Sequence, residues 1–316
     1  MRGCRSHGGI GGLPDSLAMK FVITGVSGLI GSALATSLRS DGHEVVGLSR
    51  SEGSGLVRWD VEAGQLDPSA LAGADAVVHL AGESIGGRWT TAKKRRLVDS
   101  RVRSTELLVS TMAALDDAER PAVFVGGSAM GVYGDRGDEV LTEASSPGSS
   151  FLADLVVRWE GAARPLDDLG VRVCHARTSL VLGADAESFR RLVLVTKLGA
   201  SGPLGGGRQY WSWISLSDQV RALRHLLDEE LTGPVNITAP HPVSQRAFAR
   251  SLAKALRRPA WVPAPGFAIR LLLGEMGQAL LLDSTRLEPR ALLDSGFEFE
   301  HETVEAAIDA ALGRQP

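Results

Sequence analysis

A short apolar run, Lys20-Phe21-Val22-Ile23-Thr24, leads directly into Gly25-Val26-Ser27-Gly28-Leu29-Ile30-Gly31, and the residues that follow keep helical spacing through Leu34 and Leu38. No other feature of the chain restricts its fold so strongly. Glycines alone often do no more than make a turn. At this spacing, between a buried strand and a helix, each has a specific use. Gly25 permits the tight turn, Gly28 lets backbone come close to a pyrophosphate, and Gly31 lets the helix pack on the strand. The helix start adds free N–H groups and a partial positive charge for phosphates. Gly25, Ser27, Gly28, Leu29, Ile30 and Gly31 are therefore expected to contact a dinucleotide.

The end of the next strand, Glu44-Val45-Val46-Gly47-Leu48-Ser49-Arg50, points to the type of dinucleotide. An acid there would bind ribose hydroxyls and repel a 2′-phosphate. The chain instead has Ser49 and Arg50, and a guanidinium makes charge-assisted bonds to phosphate. The expected cofactor is NADP(H); the plainer alternative for Arg50 is a solvated surface charge. Asp60, after Val57-Arg58-Trp59, is a candidate acceptor for an adenine amino group, or else a turn cap. Leu80, Ala81 and Gly82 close a third strand with small residues that would let a cofactor lie close.

Strands are expected at 76–81, 122–125 and 171–177, with helices at 93–115 and 151–166. This alternation predicts an α/β fold, a Rossmann doubly wound parallel sheet. The pattern changes after Gly183. Helices at 219–228, 245–256, 267–282 and 304–312, a Gly- and Trp-rich loop at 199–213 and a Pro-rich connector at 259–265 predict a smaller, mainly helical C-terminal cap. The expected division is a disordered leader over 1–18, the cofactor domain over 19–183 and the cap over 184–316. Met19, one residue before the first strand, is a candidate start.

A net charge of −3 supplies no global basic field for nucleic acid. Cys4 and Cys174 form no framework or zinc pair, and His79, His175 and His225 are scattered, so no metal site is expected. No apolar run is long enough to span a bilayer, and the leader lacks a signal peptide's apolar stretch. The expectation is a cytoplasmic protein acting on a small molecule, with neither nucleic acid nor membrane as partner.

The Gly loop, His79-Leu80-Ala81-Gly82 and Ser128-Ala129-Met130-Gly131-Val132-Tyr133-Gly134-Asp135 together resemble an extended short-chain dehydrogenase/reductase. More closely, the chain resembles the epimerase-like family of uncertain function that ends in a family-specific C-terminal domain, some of whose members are called cell-division-inhibitor-like. Arg88-Trp89-Thr90, Trp159-Glu160, Gly202-Pro203-Leu204-Gly205 and Trp213-Ile214 add to the likeness. So do Pro263 to Phe267 and Leu271 to Met276, which place the C-terminal domain from about 261. The resemblance implies NADP(H) contacts at Ser49, Arg50, Leu80, Ala81, Arg101 and Val181. It also implies sugar-nucleotide epimerase-like or oxidoreductase chemistry.

Working short-chain dehydrogenases use a Ser/Thr, a Tyr and a Lys four residues after the Tyr, because free Tyr holds its proton too tightly at neutral pH. Ser128 is the candidate hydroxyl. Counting back from Glu160, the Tyr and Lys positions fall at Leu152 and Val156, neither of which transfers a proton. Tyr133 is the leading substitute donor, with Asp135, Asp154 and Glu160 behind it. In the loop, Arg208 is a candidate for holding an anionic substrate, Trp211 and Trp213 are core anchors or substrate platforms, and Asp218 is expected to help start the next helix. Two functions follow: an NADP(H)-dependent reductase or epimerase with an altered proton donor, or a catalytically weak NADPH-binding sensor or partner-binding protein.

Overall fold

The computed structural model describes residues 18–51, 53 and 55–314; all of the expected leader except Ala18 lies outside the described residues. The first half contains β1 (Lys20–Thr24), α1 (Leu29–Ser40), β2 (Glu44–Ser49), β3 (Leu56–Asp60), β4 (Gln65–Leu66), β5 (Ala76–His79), α2 (Thr91–Ala113), β6 (Val123–Ala129), β7 (Val140–Leu141), α3 (Phe151–Gly161) and β8 (Arg172–Thr178). Then come β9 (Leu180–Leu182), α4 (Glu187–Lys197), β10 (Tyr210–Trp211), β11 (Trp213–Ser215), α5 (Leu216–Asp228), β12 (Gly233–Ile237), β13 (Val243–Ser244) and α6 (Gln245–Ala255). The chain closes with α7 (Gly266–Gly277), β14 (Arg286–Leu287), α8 (Arg290–Asp294) and α9 (Val304–Ala311).

Eight strands form one sheet in the order β12-β8-β6-β5-β1-β2-β3-β4, parallel except for β3 with β4. β1 lies in its interior, and its side chains serve both faces. Phe21 and Ile23 pack with Leu34 and Leu38 of α1 and Leu223 and Leu226 of α5. Val22 packs on the other face with Leu108 and Met112 of α2 and with Trp59. Burying each such side chain contributes about 1.5–3 kcal/mol. From β1 the chain builds outward through β2 and β3, then returns to β5 on β1's other side. Strand order reverses between β1 and β5, and open α/β sheets bind ligands in the crevice at such a point.

The fold is the expected Rossmann-like α/β sheet with a helical C-terminal part. It differs in detail from the sequence reading. β12 lies beyond the boundary placed at 183, yet it is the sheet's edge strand, and α5 packs under that sheet beside α1. The chain leaves the sheet after β8 and returns to it, an excursion that hydropathy does not record. Helix α3 stops at Gly161 and continues as a 3₁₀ turn over Arg164–Leu169, where Pro165 interrupts the α-helical bonding. The helix expected over 267–282 is broken at Gly274, whose φ of 63° and ψ of −144° lie outside helical space, and ends in a π-turn over Gln278–Leu282.

The cap packs α4, α6 and α9 around Trp211, Trp213 and Phe248. β9 pairs with β11 and β7 with β14, which ties the last quarter of the chain to the loop after β6. Asp218 does more than start α5. Ser215 caps that helix, while the fully buried Asp218 carboxylate accepts the backbone N–H groups of Glu300 and His301 at 2.8 and 2.9 Å and pins the segment leading into α9.

Candidate functional site

The loop between β1 and α1 lies against the end of β5. Gly25 has φ 68°, and a Cβ there would stand 2.9 Å from the Ala81 nitrogen and the Leu80 carbonyl carbon. A Cβ on Gly31 would run into the Gly25 carbonyl. Gly25 and Gly31 are thus required by close backbone approach. Gly28 is the N-cap of α1, with no side-chain cap and no acid in the first turn, so the helix start is left open for an anion. Ser27 and Gly28 are exposed there, with Leu29 and Ile30 half-buried beside them.

A fully bonded polar relay holds the two loops together. Ala81 N–H donates to Thr24 Oγ1 at 3.0 Å, Thr24 Oγ1 lies 2.7 Å from His79 Nδ1, and His79 Nε2 lies 2.9 Å from Ser104 Oγ. Ser104 gives its own proton to the Ser100 carbonyl. A neutral His79 that donates from Nε2 and accepts at Nδ1 completes this relay. Burial, reinforced by the Arg101 charge, pushes its pKa down to about 3. His79 is therefore a structural link between β1, β5 and α2.

Beyond β5, Gly82 is exposed and Arg101 of α2 lies behind it. A Cβ on Gly82 would stand 3.1 Å from Arg101 Cζ. The guanidinium lies 5.1 Å over the Trp159 ring, and Nη1 donates to the carbonyls of Glu83 and Leu97. Burial lowers its pKa to about 10, so it stays charged at neutral pH. Arg101 is thus packed and hydrogen-bonded within the fold, not a solvated helix charge. Glu83, next along, is bonded by Lys93 at 2.7 Å; that bond leads the causes that hold its carboxyl below the ordinary range.

Ser49 ends β2, and its Oγ accepts the Ser51 N–H. Arg50 is exposed just beyond it. Asp60 Oδ1 is taken by the N–H groups of Glu62 and Ala63, which is the turn-cap role. Val181 lies in β9, half-buried against the main core and paired with Ile214. Trp211 and Trp213 are core anchors, and Arg208 is exposed.

The two candidate catalytic hydroxyls are placed where the sequence did not foresee. Ser128 Oγ donates to Glu160 Oε1 at 2.6 Å, and Arg177 clamps the same carboxylate through Nε and Nη2, both at 2.8 Å. Arg177 Nη1 also donates to the Tyr133 hydroxyl at 2.9 Å, which in turn donates to Asn236 Oδ1 at 2.7 Å. Burial opposes the Glu160 charge, but the Arg177 bonds outweigh it and hold the carboxyl below its ordinary pKa. Burial raises that of Tyr133. Tyr133 is wholly enclosed, and the Ser128 hydroxyl, itself buried, is engaged with Glu160. Both belong to one buried network joining β6, α3, β8 and β12. Glu160, named only as a substitute acid, is its centre. Leu152 and Val156 are buried, Leu152 against Gly131 and Val156 beside Val132 and Tyr133.

The model of the NAD dependent epimerase/dehydratase family matches residues 21–238, which contain the glycine loop and all of the eight-stranded sheet except Lys20. The chain belongs to that family. A second model, a domain of unknown function (DUF1731), matches residues 264–311. The Epimerase family protein Mb2239 of Mycobacterium bovis is 42% identical over 296 residues, 92% of this chain and 97% of that protein. The Epimerase family protein SDR39U1 of Homo sapiens is 31% identical over 296 residues, 92% of this chain and 98% of that protein. The crystal structure of the human protein (isoform 2) with NADPH superposes with a TM-score of 0.85 at 29% identity, covering 94% of this chain and all of that one. Membership in this family with this fold makes the chain an epimerase-family protein with a Rossmann-like NAD(P)-binding fold.

Proposed function

We propose that this protein binds NADP(H) across the sheet crevice and uses it in oxidoreductase or epimerase-type chemistry on a small molecule, without a Tyr/Lys pair. The observation that carries the cofactor choice is the end of β2, where Ser49 and the exposed Arg50 stand in place of an acid. The site fits the group: the Gly25 cradle has room only for hydrogen, Gly82 lies close over Arg101, and the α1 start is uncapped. Gly25, Ser27, Gly28, Leu29, Ile30 and Gly31 would hold the pyrophosphate, and Arg50 with Ser49 the 2′-phosphate. Leu80, Ala81, Gly82 and Val181 would line the crevice, with Arg101 lending positive charge from behind. Asp60 would flank the adenine end with its second oxygen. The bound dinucleotide supplies or accepts hydride. The human relative crystallised with NADPH supports this reading.

The commitment of Ser128 and Tyr133 to the Glu160–Arg177 pair favours a second reading, a catalytically weak NADPH-binding sensor. Titration with NADPH and NADH tests the first point. NADPH is expected to bind tighter, and Arg50→Ala to weaken NADPH by about 1.5–3 kcal/mol while sparing NADH. Equal affinities in the wild type reject the assignment. Hydride transfer assayed over a panel of carbonyl compounds separates the two readings, since a sensor shows none.

A further inference from the structure

The chain's charge is unevenly distributed. Residues 188–217 and 231–274 hold ten of the 34 Lys and Arg residues and none of the 37 Asp and Glu residues, although the whole chain is at −3. These stretches include α6 and most of α4 and α7, whose only acids are Glu187, the first residue of α4, and Glu275 near the end of α7. α4 and α6 pack on one another through Phe189, Leu192, Phe248 and Leu252. α4 and α7 are joined where 201–205 runs beside 262–264: Val262 N–H donates to the Ser201 carbonyl, Ala264 N–H to Pro203 and Gly205 N–H to Ala264.

The outer face of these joined elements is strongly apolar. Leu198 is 74% exposed, Trp261 76%, Phe267 71% and Leu271 74%, with Leu194 and Val195 also exposed. On α4 the exposed order is Arg190 and Arg191, then Leu194 and Val195, then Lys197 and Leu198, so cations and apolar groups share one helix face. On α7, Arg270 lies between Phe267 and Leu271 in the same way. Arg257 and Arg258 lead into Trp261. The two acids of these helices are paired, Glu187 with Arg191 and Glu275 with Lys94.

We infer that this face of the cap docks on an anionic phospholipid bilayer, lying on the surface with Trp261, Leu198, Phe267 and Leu271 among the acyl chains and the cations at the headgroups. An aromatic and aliphatic centre with a basic surround is what such a surface binds. A two-fold contact with a second copy would set this predominantly basic face against itself, which like-charge repulsion opposes. A nucleic acid would match the cations but leave the aliphatic side chains without apolar cover. No helix among the described residues is long and apolar enough to cross a membrane, so the attachment is peripheral.

The six tryptophans make the test direct, because Trp59, Trp89, Trp159, Trp211 and Trp213 are buried and only Trp261 reports the face. The full chain is mixed with vesicles of phosphatidylglycerol or of phosphatidylcholine. Sedimentation with the anionic vesicles, a blue shift of tryptophan emission and quenching by brominated lipid are expected, with the optical signals lost in Trp261→Phe. Leu198→Glu with Leu271→Glu should weaken binding at least about tenfold, and Lys197→Gln and Arg258→Gln about fivefold each. The melting temperature of every variant should stay at the wild-type value, because these side chains are exposed. Three results overturn the proposal: no sedimentation with phosphatidylglycerol, equal binding to both lipids, or shielding of Trp261 that rises with protein concentration in the absence of lipid. The last would identify the face as a protein–protein contact.

Discussion

His79 makes the fold acid-sensitive in a calculable way. Its ring is fully buried, with Nδ1 2.7 Å from Thr24 Oγ1 and Nε2 2.9 Å from Ser104 Oγ, and burial disfavours a second ring proton in the folded state. The folded pKa is about 3, against 6.5 for the free side chain. A depressed folded value means that the contribution is fully present above the unfolded pKa and is lost as pH falls from about 6.5 toward about 3, where the unfolded chain alone takes up the proton. Each pH unit in that window costs about 1.4 kcal/mol, so lowering the pH to 5 removes about 2 kcal/mol, a large part of the roughly 5–15 kcal/mol that holds a typical domain folded. His175, also buried with a lowered pKa, adds a slope of the same sign. The measurement is therefore a difference. Urea unfolding of wild type and His79→Gln is followed between pH 7 and pH 5, without cofactor. The variant is less stable at pH 7, but its stability should fall by about one proton's slope less than that of the wild type. Parallel pH profiles would show that His79 takes up its proton equally in the folded and unfolded chain and refute the buried neutral ring.

Gly25→Ala places a methyl group against Leu80 and Ala81 at a left-handed φ; it should cost about 1–3 kcal/mol of stability and raise the NADPH dissociation constant at least about tenfold, and unchanged NADPH titration would remove the loop from the site. Ser128→Ala takes one donor from the Glu160 carboxylate and should lower the unfolding free energy by about 1–3 kcal/mol with NADPH affinity intact, whereas Glu160→Gln leaves the Arg177 charge buried without its partner and should cost about 3–5 kcal/mol. Ser128→Ala that weakens NADPH binding without touching stability would refute the structural role and place Ser128 at the cofactor instead.

The residues legible in the sequence share a short range. Gly25, Gly28 and Gly31 lie within two turns of chain; Gly28 and Gly31 crowd the Gly25 carbonyl and Gly25 takes a positive φ, so residue type and spacing already contain much of the requirement, although the approach of Leu80 and Ala81 to Gly25 does not show in it. The same holds for the buried run of β1 and for the absence of an acid at the end of β2. The fates of Ser128, Tyr133, His79 and Asp218 depend on partners 32, 103, 55 and 82 residues away. Whether a serine at a strand end faces a substrate or a glutamate depends on which helix covers that strand, and Ser128 lies under α3 with Arg177 on the next strand. Periodicity identified most of the strands of the sheet but not its order, so the return of β12 to the edge and the placing of Asn236 beside Tyr133 became visible only in the folded chain. A polar side chain taken out of water must find a bonding partner wherever the fold brings one, and that choice is made by tertiary packing.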